Sequence, residues 1–321
     1  MAAFIPSEAR HSARVAVFGA GAIGCWYGGL LALAGVPVTL LARPARVQAI
    51  AAEGLRVQGP AVDSVVRIAV SADPDALRDA ELVLCCVKSA DTFAAADAMR
   101  GRLRPDALVL SLQNGVENAQ RLRAALPGHD VAAVLVYTAN AMAGEAHVVC
   151  HGGGQLVLEA SERAAAAQAL LRSAGIDADL CDDIPREMWS KLIVNCVWNP
   201  LSALGRLPYA ALAEVDDFDA LVRSILAECV AVAQADGVAL SDDLEHKVMR
   251  VPKVMGSQAS STAQDLARGR KTEIEDLNGY VARRGRALGV PTPLNDALRI
   301  LVHVLERAAR CGRYPGGHTP Q

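Results

Sequence analysis

The chain has 321 residues, more than a typical single domain, so two domains are expected, and a hydrophobic fraction of 52% suffices for a large core. The net charge of −3, with no long run of one sign, argues against a nucleic-acid or membrane-surface partner and leaves a small molecule or a second copy of the chain. The eight cysteines form no C-x-x-C pair and no Cys/His cluster at zinc spacing, so no metal is expected and the thiols read as buried groups of a cytoplasmic protein.

Residues 1–13, MAAFIPSEARHSA, lack the basic and apolar regions of a signal peptide and read as a flexible extension. No apolar run is long enough to cross a bilayer without interruption. Arg14 to Phe18 form a short β-branched run that ends in Gly19-x-Gly21-x-x-Gly24 and is followed by a helix-like stretch to Ala34 and a second strand, Val36 to Ala42. Strand, glycine loop, helix and strand within about thirty residues make a dinucleotide-binding half. Gly19 permits the tight turn, Gly21 admits a pyrophosphate and Gly24 allows close packing, so Gly19, Ala20, Gly21, Ala22, Ile23 and Gly24 are the expected phosphate loop.

The second strand ends LLARPAR, where an NAD site usually has Asp or Glu for the ribose hydroxyl. Arg43 suits a 2′-phosphate instead, which favours NADP; Arg46 reads more readily as a solvated arginine opening the next helix. Further apolar runs at 65–70, 81–87, 107–112 and 131–137, separated by helix-like segments at 91–102 and 116–126, predict a mostly parallel sheet covered on both faces. Lys88, and Gln113-Asn114-Gly115, follow two of these strands at the sheet edge where α/β proteins bind ligands.

From about residue 182 helical periodicity takes over: 185–204, 218–236, a segment around 257–268, 272–288 and 294–309. Asp182, Asp183 and Pro185 mark a helix start, and Thr272-x-x-Glu275 is a capping-box pattern. The organisation predicted is therefore an extension (1–13), an α/β domain (14–182), an all-helical domain (183–312) and a flexible tail (313–321).

Lys191, Asn195 and Asn199 recur at steps of four in WSKLIVNCVWNPLSAL, so an ammonium and two carboxamides stack along one drifting stripe of an otherwise apolar helix. Taken alone, two hydrogen-bonded amides and a snorkelling lysine are the simpler account. Glu273 likewise reads as structural on its own, since the helix dipole favours a carboxylate in a first turn.

Together these residues resemble the ketopantoate reductase (2-dehydropantoate 2-reductase) family over about residues 14–306. The resemblance rests on VFGAGAIG, VKSAD at 87–91, LQNG at 112–115, HGGG at 151–154, KLIVNCVWNPLSAL at 191–204 and SSTAQDLARGRKTEIEDLNG at 260–279. It implies a Rossmann-type domain followed by a helical domain, with the active site between them. It also implies NADPH-dependent reduction of 2-dehydropantoate to (R)-pantoate in the route to pantothenate and coenzyme A, and a cytoplasmic homo-oligomer, a dimer. Under it Lys191 is the catalytic lysine that donates to the 2-oxo group, Glu273 engages the substrate hydroxyl and Ser261 holds its carboxylate. Asn195 and Asn199 line the substrate pocket, Asn114 lies beside the nicotinamide, and Lys88 and Arg43 contact the cofactor.

Two positions depart from the family pattern. Glu117 stands where glycine often follows LQNG, and Thr262 where many members have methionine, so the substrate could be a different 2-oxo or hydroxy acid. Dehydrogenases of the 3-hydroxyisobutyrate type also space a lysine and an asparagine by four, but they lack the 260–279 block. A non-catalytic NADP sensor would be expected to have lost the lysine, the acid or the serine, and all three are present.

Overall fold

The computed structural model describes residues 13–311, so the expected extension (save Ala13) and the tail at 313–321 lie outside the described residues. The chain divides into two compact units, one ending at Ile184 and the other beginning at Pro185.

In the first unit β1 (Val15–Phe18), α1 (Ala22–Leu33) and β2 (Val38–Leu41) form the expected strand, loop, helix and strand. There follow α2 (Pro44–Glu53), β3 (Leu55–Gly59), β4 (Val62–Val66), β5 (Ala69–Ser71), β6 (Leu82–Cys85), α3 (Thr92–Met99), β7 (Leu108–Ser111), α4 (Asn118–Ala125), β8 (Asp130–Gly144), β9 (His147–Glu159), α5 (Glu162–Ser173) and β10 (Ala178–Cys181). The strands join in one sheet ordered β4-β3-β9-β8-β7-β6-β1-β2-β5, with β10 also on β9. From β8 through β5 all neighbours are parallel. The central strands VAVF, LVLC and LVLS are almost wholly buried, which is why they read as unbroken apolar runs without alternation.

Beyond β8 the sheet is mixed, and here the structure corrects the sequence reading. The apolar run at 65–70 is not one strand: β4 ends at Val66 antiparallel to β3, and β5 starts at Ala69 beside β2. Between them Arg67 turns aside to donate to the Ala52 carbonyl at the end of α2, 3.0 Å away. The strand expected at 131–137 is the first half of a long hairpin, β8–β9, whose register shifts around Tyr137–Asn140. Gly152, Gly153 and Gly154 all take positive φ there, and a Cβ on Gly153 would lie 2.3 Å from the Tyr137 carbonyl oxygen, so the HGGG segment serves a kink in β9.

The second unit is helical: α6 (Ile184–Gly205), α7 (Tyr209–Leu212), α8 (Phe218–Ala235), α9 (Leu244–Val254), α10 (Ser261–Ala267), a 3-10 turn (Ile274–Asp276), α11 (Asn278–Leu288) and α12 (Pro293–Arg310). α6 is its central element. Leu192, Ile193, Cys196, Val197 and Trp198 are buried, and Trp198 meets Tyr209 edge-on and Phe218 at a tilt while its indole N–H donates to the Val248 carbonyl of α9. The helix expected over 272–288 is broken at Leu277, whose backbone (φ −108°, ψ −106°) is not helical.

Candidate active site

The strand order brings the predicted cofactor loops side by side. Gly19–Gly21 follow β1, Arg43 follows β2, Lys88 follows β6 and Asn114 follows β7, and these four strands are consecutive parallel neighbours whose carboxyl ends share one edge. Gly19 has φ +101°, and a Cβ on Gly24 would lie 2.3 Å from the Gly19 carbonyl oxygen, so helix and loop touch through missing side chains. Gly21 is exposed, with nothing within 4 Å of where its Cβ would be, and α1 begins there without a side-chain cap. The start of α1 is thus open beside Gly21, which fits a pyrophosphate over the unpaired N–H groups of a helix's first turn.

The Ala20 carbonyl is turned the other way. It accepts from the Arg46 guanidinium and from the Cys25 thiol at 3.3 Å; burial pushes that thiol up to about 11, so it stays a donor. Arg46 is also paired through Nε (3.0 Å) and Nη2 (2.9 Å) with Glu145 at the β8–β9 turn, and its side chain is only 15% exposed. Arg46 is therefore not the solvated arginine that the sequence suggested but a brace of the glycine loop. Arg43 is exposed and makes no ion pair among the described residues, which leaves its guanidinium available for a phosphate.

Lys88 and Asn114 are held by a buried network that the sequence did not reveal. Asn118 donates from Nδ2 to the Asn114 carbonyl (2.6 Å) and to the Ser89 hydroxyl (2.8 Å), and Gln113 donates to the Thr92 hydroxyl (2.8 Å). Ser89, Thr92, Gln113 and Asn118 are all buried, so the loops after β6 and β7 form one rigid piece that presents exposed Lys88 and part-exposed Asn114. Glu117, the first departure, pairs with Arg121 one turn along α4 at 2.7 Å.

In the helical unit Lys191 is half-buried on α6. Burial lowers its ammonium from the usual 10.5 to about 8, and the nearby Glu273 carboxylate opposes that fall. Asn195, one turn on, is half-buried, and its carboxamide makes no hydrogen bond among the described residues. Asn199 lies deeper, 5% exposed, with its Oδ1 at 3.5 Å from the Tyr209 hydroxyl. The stripe thus runs from half-buried Lys191 and Asn195 to a buried end at Asn199.

The paired serines divide their roles. Ser260 is buried, caps α10 by accepting from the Ala263 N–H and donates to the Asn199 carbonyl of α6. Ser261 is exposed and forms no such bond. Thr262, the second departure, is buried with its hydroxyl unpartnered among the described residues.

Pro200 explains a further connection. Lacking an N–H, it leaves the Cys196 carbonyl of α6 without its helical donor, and Asn278 fills the gap with its Nδ2 at 2.9 Å. Asn278 is also 3.0 Å from Asn295 Oδ1, and Asn295 with Leu294 is capped by Glu228 of α8.

The capping box expected at Thr272 is not formed. The Thr272 N–H donates to Glu306 of α12 at 2.8 Å, and Glu275 turns instead to His303, Arg299 and Arg283. A carboxylate brought by the fold has displaced the local one, a partner separated by 34 residues that no spacing rule would find.

The chain matches the family model described as ketopantoate reductase PanE/ApbA over residues 15–163 and its C-terminal counterpart over 183–306. It is 35% identical to the 2-dehydropantoate 2-reductase of Halobacterium salinarum over 302 residues, covering 92% of this chain and 99% of that protein. Among solved structures, a PanE/ApbA family ketopantoate reductase from Ralstonia eutropha superposes with a TM-score of 0.90 at 49% identity, covering 92% of this chain and 99% of that one. A D-mandelate dehydrogenase solved with NADH and anilino(oxo)acetate superposes with a TM-score of 0.85 at 25% identity and the same coverage.

Proposed function

Because the chain belongs to the ketopantoate reductase family, we propose that it is an NADPH-dependent oxidoreductase that reduces 2-dehydropantoate to (R)-pantoate. What carries the reading is Lys191 on α6, whose ammonium burial lowers to about 8 against the opposing charge of the nearby Glu273 carboxylate, with half-buried Asn195 one turn along the same helix. A lysine ammonium with that value is still charged at neutral pH, yet gives up its proton far more readily than a solvated one.

The reduced nicotinamide, when bound, supplies the hydride. Lys191 faces the 2-oxo oxygen, stabilises negative charge as it develops there and provides the proton. Asn195 orients the same carbonyl, Glu273 accepts a hydrogen bond from the hydroxyl at the far end of the substrate, and Ser261 donates to its carboxylate. Asn199 closes the deep end of the pocket. Arg43 binds the 2′-phosphate, the glycine loop binds the pyrophosphate, and Lys88 and Asn114 contact the rest of the cofactor.

A homodimer in the cytoplasm belongs to the same reading. It is supported by the free cysteines and by the exposed apolar stripe of Ile300, Leu301 and Val304 on α12. No helix among the described residues is long and apolar enough to cross a membrane.

The likeness to D-mandelate dehydrogenase favours one second reading: a reductase of a bulkier 2-oxo acid. Turnover of 2-dehydropantoate against a panel of 2-oxo acids that includes phenylglyoxylate, at saturating NADPH, separates the two. Preference for phenylglyoxylate would reject the first reading.

A further inference from the structure

Glu273 sits in a stretch with little regular structure of its own. Gly269 is left-handed (φ +62°), and a single 3-10 turn begins only after Glu273. A carboxylate that must meet one substrate hydroxyl needs a fixed backbone, because a misplacement of about 1 Å can cost a hundredfold in rate. Helix propensity does not supply that rigidity here.

Two anchors do, and they flank Glu273. On one side the Thr272 N–H (2.8 Å) and hydroxyl (2.7 Å) both donate to Glu306 Oε1. On the other, Glu275 Oε1 takes His303 Nε2 at 2.6 Å and Arg299 at 3.1 Å. His303 joins the anchors, since its Nδ1 lies 3.0 Å from Glu306 Oε2. Glu306 is 5% exposed, an uncommon place for a carboxylate unless it is fully bonded. Burial alone would raise its carboxyl, yet the bonds from Thr272 and His303 hold it below the ordinary range. Burial would lower His303, and the two carboxylates hold it above its ordinary value.

We propose that Glu306 and His303 are positioning residues for substrate selection, acting on Glu273 through the backbone of Thr272 and the side chain of Glu275. This rests on the reading of Glu273 as the partner of the substrate hydroxyl.

The test uses the full-length enzyme at saturating NADPH and two substrates: 2-dehydropantoate and 3,3-dimethyl-2-oxobutanoate, the same acid without its hydroxyl. The quantity read is the ratio of their kcat/KM values. Glu306→Ala should shrink the ratio by about tenfold while leaving kcat/KM for the hydroxyl-free acid and the KM for NADPH near their unmodified values. Glu306→Gln keeps an acceptor for the Thr272 N–H and should restore most of the ratio. Should Glu306→Ala fail to fold, His303→Gln, which spares the Thr272 bonds but loosens Glu275, should shrink the ratio in the same direction. A fall of equal factor for both acids, tracking a lower melting temperature, marks a merely structural role and overturns the proposal. Glu273→Gln, run alongside, separates the two levels. If it leaves the ratio intact, the reading of Glu273 fails and the positioning role falls with it. If it collapses the ratio while neither Glu306→Ala nor His303→Gln does, only the positioning role is refuted.

Discussion

Lys191 should cost the folded protein stability while it supports turnover, and replacing it with methionine separates the two. Methionine keeps an unbranched stem of similar length without the charge. A fall of the Lys191 ammonium from 10.5 to about 8 means that the native state disfavours its charged form by about 3 kcal/mol. With the discount due for its partial exposure, Lys191→Met should stabilise the protein at neutral pH by about 1–3 kcal/mol. The gain has a pH signature. Between about 8 and 10.5 the unfolded chain holds a proton that the native state has released, so the unmodified protein gains stability with rising pH across that window. The gap between the two proteins is therefore full below about pH 8 and closes by about pH 10.5. Turnover should move the other way, falling about a hundredfold to a thousandfold with NADPH binding preserved. In the unmodified enzyme kcat/KM should decline as pH rises through about 8. Urea melts at several pH values, with turnover and NADPH fluorescence on the same preparation, give all of these. A variant less stable than the parent at pH 7 yet nearly as fast would refute both the buried ammonium and its role.

Arg43→Ala should raise the KM for NADPH about tenfold to a hundredfold and leave that for NADH unchanged, because a charge-assisted bond to the 2′-phosphate contributes roughly 1.5–3 kcal/mol. Arg46→Ala should weaken both cofactors alike, since Arg46 braces the Ala20 carbonyl and not a phosphate; steady-state kinetics with each cofactor distinguishes the two arginines. Asn278→Ala leaves the Cys196 carbonyl without a donor and should destabilise by about 1–3 kcal/mol in denaturant melts, with a smaller loss in a Pro200→Ala background that returns the helical N–H. His303, raised by Glu275 and Glu306, adds stability that is complete below its ordinary 6.5 and fades as pH rises through its higher native value. The two carboxylates, held low, lose theirs as pH falls below about 4.5, so His303→Gln should cost most between these limits in melts across pH.

The parts legible in the sequence were those with short-range periodicity. The run VAVF and the glycines at 19, 21 and 24 mark the strand, turn and helix of β1 and α1 because each acts within one βαβ unit. The α6 stripe was legible because steps of four place Lys191 and Asn195 on one face. The second strand of the β8–β9 hairpin is not legible in the sequence because Gly152, Gly153 and Gly154 break the alternation by which a strand is recognised. Spacing alone points the Thr272 cap to Glu275, three positions away, whereas Glu306 arrives from another helix. The network of Ser89, Thr92 and Asn118 and the fit of Asn278 into the gap left by Pro200 were hidden for the same reason. Each joins residues whose types are common in loops and whose meaning depends on which carbonyl or hydroxyl the fold sets opposite them.

A crystal structure of the enzyme with NADP and pantoate bears most directly on the central claim. The account predicts the C2 hydroxyl of pantoate on Lys191 Nζ, its terminal hydroxyl on Glu273, its carboxylate on Ser261 and the 2′-phosphate on Arg43. Pantoate bound with its carboxylate on Lys191, or away from α6 altogether, would contradict it.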